Sequence, residues 1–175
     1  AKMFMRNENF EVVCNVQNSI QVLLQKLGSQ SLYYTEQFKD LVFPTLNDMR
    51  RSVRIITVNT MVTFSTETQS FSLLQTTFDI SDTQTNQCKA ELLTFINILI
   101  EKRSIPEFYF KSLSILLEQA LKVQNRLVRS SAILLLQRFV KLDPSIRPQL
   151  PVICQEFIFD EALPMTAGGI SEPKI

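Results

Sequence analysis

The chain has 175 residues, 45% of them hydrophobic and 20% charged, with a formal net charge of +1. That length suits one compact domain burying roughly 70% of the surface of its unfolded form, and the composition excludes a disordered chain. So small a net charge argues against a uniformly basic, polyanion-coating surface, and only three glycines argue against a turn-dense β-fold.

In chain order, the spacing predicts a first helix over 8–27. Phe10, Val13, Ile20, Leu23, Leu24 and Leu27 recur at three- and four-residue steps. Gly28 suits its C-terminal cap. A second helix is expected over 32–46, kinked or broken at Pro44. Asn47-Asp48 offers a turn before a third helix over 51–65. There Ile56, Val58, Val62 and Phe64 alternate, which also suits a strand; a lone strand among helices has nothing to pair with, so helix is expected.

A polar stretch over 63–87 holds a short helix around Phe71, Leu74 and Phe78 and breaks at Ser81-Asp82. A long helix follows over 83–102, burying Cys88, Leu92, Phe95, Ile96 and Leu99. Ser104-Ile105-Pro106-Glu107 opens the next, through Leu121. Gln124-Asn125 is a turn, and an apolar helix covers 126–142. Asp143-Pro144 starts a last helix reaching about Asp160, with Pro148 and Pro151 shortening or bending its first half. Residues 164–175 have linker composition, leaving 1–163 as one helical domain.

Cys14, Cys88 and Cys154 are odd in number and widely spaced, which fits neither a disulfide scaffold nor a zinc site. They read as buried free thiols in a reducing compartment. The longest apolar run, 132–136, is far short of a membrane span. With no signal peptide in view, the expectation is an intracellular soluble protein, cytoplasmic or nuclear, with no membrane partner.

One pattern recurs. Val53-Arg54 returns as Val128-Arg129, 75 residues on (128 − 53 = 75), and Leu46, Arg51 and Phe64 return as Leu121, Arg126 and Phe139. A weaker copy at Cys88-Lys89 lies 35 residues after the first and 40 before the last, a period near that of stacked helical repeats. The stretch 121–140, LKVQNRLVRSSAILLLQRFV, resembles the second half of a HEAT repeat. Leu41 to Phe64 is a looser copy, with Thr57 where the last repeat has the small Ala132. The resemblance, over about 32–159, implies an all-α, right-handed solenoid of stacked antiparallel hairpins with seven to eight helices. So read, the chain starts and stops in mid-repeat, as an excerpt of a longer solenoid would.

Chemistry is sparse. The chain has no histidine, which removes the commonest general base and most zinc and iron ligand sets. Gly168-Gly169 lacks the rest of a phosphate loop. The carboxylates Asp79 and Asp82, and Asp160 and Glu161, suit helix caps. No catalytic residue, cofactor, metal or small-molecule substrate is expected.

Two binding readings stand. In the first, the chain is a scaffold whose inner helices hold a protein partner through Asn59, Thr63, Asn97, Glu101, Gln137 and Lys141, with Phe157 and Phe159 as an exposed end face. In the alternative, Arg50, Arg51 and Arg54, with Lys122, Arg126 and Arg129, form a discontinuous basic strip for phosphate or nucleic acid. The resemblance implies instead that Arg54 and Arg129 brace neighbouring repeats by pairing with carboxylates. The basic cluster has no interleaved aromatics, which speaks against single-strand stacking.

Overall fold

The computed structural model describes residues 9–80, 84–102 and 105–158. All regular elements among these residues are helical. They are α1 (Phe10–Leu27), α2 (Thr35–Val42), α3 (Arg51–Thr68), α4 (Ser72–Ile80), α5 (Asn86–Lys102), α6 (Phe110–Lys122), α7 (Arg126–Leu142) and the single turn α8 (Val152–Gln155). Phe159, the break at 81–82 and the tail over 164–175 lie outside the described residues.

Local chemistry sets most of the boundaries. Asn9 caps α1 by accepting from the Glu11 amide at 2.9 Å, and Asn125 caps α7 by accepting from Leu127 and Val128. Gly28 ends α1 at φ 52, its amide donating to the Leu24 carbonyl. The helix expected over 32–46 is only α2, flanked by 3-10 turns at Gly28–Tyr34 and Phe43–Asn47. Pro44 falls in the second turn, where its missing amide costs little. The last expected helix is likewise reduced to a 3-10 turn over Pro144–Gln149 and α8, because Pro148 and Pro151 interrupt it twice.

The ambiguous segment is a helix of 18 residues, α3. Thr57, Thr60, Thr63 and Thr68 each donate to the carbonyl four residues earlier at 2.6–2.9 Å. This lets polar β-branched residues sit inside a helix. α3 also packs between α1 and α5. Burial on two sides explains why no single apolar face shows in its sequence.

The four long helices lie side by side in the order α1, α3, α5, α7, while α2, α4, α6 and α8 pack on the second side. Gln17 Nε2 donates to Thr57 Oγ1 at 2.6 Å and Gln21 Nε2 to Thr60 Oγ1 at 2.9 Å, across 40 and 39 residues. Between the next pair, Thr85 donates to Asn47 and Arg54 to Glu91, across 38 and 37 residues. Arg138 then reaches Asn97 and Glu101, across 41 and 37. A near-constant difference in residue number is the signature of parallel neighbours; antiparallel ones would hold the sum constant.

The long helices bury the same ladder. Val13, Gln17 and Leu24 in α1 correspond to Val53, Thr57 and Phe64 in α3, to Cys88, Leu92 and Leu99 in α5, and to Val128, Ala132 and Phe139 in α7, all buried. An aromatic contact ties the two sides twice: Phe38 stacks on Phe64 with centroids 4.4 Å apart, and Phe110 meets Phe139 edge-on at 5.1 Å. The seams differ in their buried rungs. α1–α3 holds Gln17, Thr57 and Thr45, whereas the buried positions of α5 and α7 are Leu, Ile, Ala, Phe, Val and Cys, with Arg138 bridging to α5 at the edge.

Candidate functional site

Few of the six basic residues are available to a ligand. The turn before α3 folds Asp48 back on Arg50, whose Nε and Nη2 donate to the two carboxylate oxygens at 2.8 and 2.7 Å. That guanidinium holds the Asp48 carboxyl below its ordinary range. Arg54 is enclosed: it donates to Glu91 at 2.9 Å and to the carbonyls of Asp48 and Met49. Both side chains of the Arg54–Glu91 pair are largely covered, at 9% and 13% exposed. Arg54 thus pairs with a carboxylate of the neighbouring long helix, α5. Lys122 pairs with Glu118 one turn back at 2.6 Å. Arg129, expected to pair with a carboxylate, lies instead over the Phe157 ring at 5.8 Å, with no carboxylate partner among the described residues. Arg51 and Arg126 stand exposed at the first positions of α3 and α7.

The six inner-helix candidates divide in the same way. Asn59 is exposed, and its carbonyl accepts from the half-buried Thr63. Glu101 is taken up by Arg138 at 2.6 Å, and the same guanidinium reaches only the backbone carbonyl of Asn97, at 3.3 Å. The Asn97 side-chain oxygen is buried with no hydrogen-bond partner among the described residues. Gln137 donates to the Phe157 carbonyl. Lys141 is exposed near the end of α7. Phe157 is half-buried against the core rather than an open stacking face, because Arg129 and Gln137 both fasten it.

Apolar exposure concentrates elsewhere. Val22, Leu23 and Leu27 on α1, and Leu127, Leu134 and Leu142 on α7, are all exposed. Between them, α3 exposes Ile55 alone among its large apolar residues that are described, and α5 none. Beside α1 the turn carries Leu32, Tyr33 and Tyr34 outward, next to an apolar hollow of about 500 Å³ framed by Leu23, Leu27, Phe38 and Leu41. A smaller slot of about 260 Å³ opens between α5, α6 and α7, lined by Leu92, Leu116, Ala120 and Val128, with Lys89 and Lys122 at its rim.

The three cysteines are free. Burial pushes the Cys88 thiol up to about 12 and the Cys154 thiol up to about 11, the reverse of an activated nucleophile. Among the described residues no helix is long and apolar enough to cross a membrane.

Sequence reasoning missed Glu91, Arg138 and the slot beside Lys89. Glu91 was findable, since it follows Arg54 by 37 residues, between the 35- and 40-residue spacings of the sequence echo. Arg138 carried no signal, having no counterpart in the other long helices. Compared with protein-family models, curated proteins and solved structures, the chain matches none.

Proposed function

We propose that this chain forms a HEAT-like right-handed solenoid, and that it works as a non-catalytic scaffold holding a protein partner inside cells. The observation that carries the reading is the placement of exposed apolar side chains on the two outermost long helices. A stacked repeat buries its apolar face only against neighbours, so α1 and α7 keep Leu23, Leu27, Leu134 and Leu142 open where α3 opens only Ile55 and α5 none of its described large apolar residues. Exposed patches of this kind mark interaction surfaces. The parallel long helices, the shared buried ladder and the Arg54–Glu91 brace support the solenoid. Free thiols suit a reducing compartment.

The basic-strip alternative is weakened because Arg50, Arg54 and Lys122 already face carboxylates. Two titrations separate the readings. Labelled duplex DNA titrated at low and physiological salt gives a flat anisotropy trace if the chain is a protein scaffold. Tight binding that weakens steeply with salt, and disappears on R51E/R126E, contradicts that reading. In parallel, a photo-crosslinking residue placed at Leu134 captures protein from a cell extract, and one placed at the polar, exposed Glu36 does not.

A further inference from the structure

The brace between α3 and α5 is half repeated one layer on. The buried ladder puts Lys89 of α5 in the place of Arg54, and Ser131 of α7 in the place of Glu91. The cation returns; the carboxylate does not. Lys89 has no anionic partner among the described residues, and Arg126, at the start of α7, has none either. Beside Lys89 the helices leave the 260 Å³ slot, whose walls are aliphatic and whose rim carries a second ammonium, Lys122. Lys122 is itself paired with Glu118, one turn back.

We propose that this slot receives an aliphatic side chain from an acidic segment of a partner protein, with the flanking carboxylates meeting Lys89 and Arg126. Charge complementarity decides the occupant: Lys89 supplies an unmatched positive charge in the lining, and a carboxylate there completes the ion pair that α7 omits. The volume decides its size, because drug-sized ligands need roughly 300–1,000 Å³, whereas one Leu or Ile side chain suits this slot. Nucleic acid would use the cations and leave the aliphatic walls empty, with no aromatic residue in the lining to stack a base. The inference rests on the protein-scaffold reading and names its partner's chemistry.

The test is a selection of random peptides displayed on phage against the full chain, followed by titration of the synthesised winners. Selected peptides should share an aliphatic residue flanked by Asp or Glu. Their affinity should fall about tenfold on Lys89→Glu, and by a similar factor when the peptide's aliphatic residue becomes alanine. The peptide substitution leaves the protein untouched, and circular dichroism establishes that Lys89→Glu still folds. Winners that bind Lys89→Glu unchanged overturn the slot and leave the scaffold standing. A selection that yields no binding peptide counts against both. Phosphate-backbone binding lost on Lys89→Glu, tested with an oligothymidylate and without any acidic peptide, overturns the slot in favour of nucleic acid.

Discussion

At the scale of single residues, the Arg54–Glu91 pair carries more than its exposed counterparts. Its charges are nearly enclosed, and Arg54 is also held by two carbonyls. Removing one partner strands the other, so Glu91→Ala should cost about 3 kcal/mol in urea unfolding, while Arg54→Met with Glu91→Leu should cost much less. The Lys39–Glu36 pair, with Glu36 80% exposed, should contribute under about 1 kcal/mol. The thiols give a second prediction. Both buried cysteines titrate above the ordinary thiol value of 9.0. Their neutral form therefore stabilises the fold fully below that value, and the stabilisation is lost as pH rises through the folded values. Stability should fall between about pH 9 and 12, and Cys88→Ala should flatten the fall. At pH 8 a thiol reagent should reach the half-buried Cys14 first, with Cys88 and Cys154 reacting only as fast as the chain opens. Arg54 was legible as a brace because its Val-Arg setting recurs; its partner was not, because pairing across repeats shows in sequence only once the period is applied.

At the scale of elements, the contrast between the polar buried rungs of α1–α3 and the apolar buried rungs of α5–α7 is the most testable feature. Gln17 donates to Thr57, but its own side-chain oxygen is buried with no partner among the described residues. Gln17→Met removes that orphan along with the bond, so its net effect should stay within about 1 kcal/mol. Leu99→Ala among the apolar rungs should cost about 2–5 kcal/mol. Chemical denaturation of the two variants checks both. Legibility followed burial. α7, with one apolar face and an Asn cap, was readable to the residue. α3 was read as a helix from Arg51, but its alternating pattern also suited a strand, because it is buried on two sides and its threonines satisfy themselves within the helix. The expected last helix failed because two prolines outweighed a helical pattern of apolar residues.

At the scale of the whole molecule, the 75-residue echo reflects two helices occupying equivalent places with α5 between them. It was legible because Val53, Phe64, Val128 and Phe139 all meet the same demand, a buried position on a long helix. The α1 copy was missed, since Gln17 stands where an apolar or small rung was expected. The candidate site was less legible than the fold: unpaired cations and open slots depend on what neighbouring layers fail to supply.

The central claim is that layers contact only their neighbours. Native-state hydrogen exchange, followed helix by helix, tests it most directly. A stack predicts that α1 and α7 open separately and at lower free energy than α3 and α5, with Leu99→Ala weakening α5 and α7 before α1. Exchange of all four long helices at one common free energy, shifted equally by Leu99→Ala, would mean a single-core bundle and contradict the account.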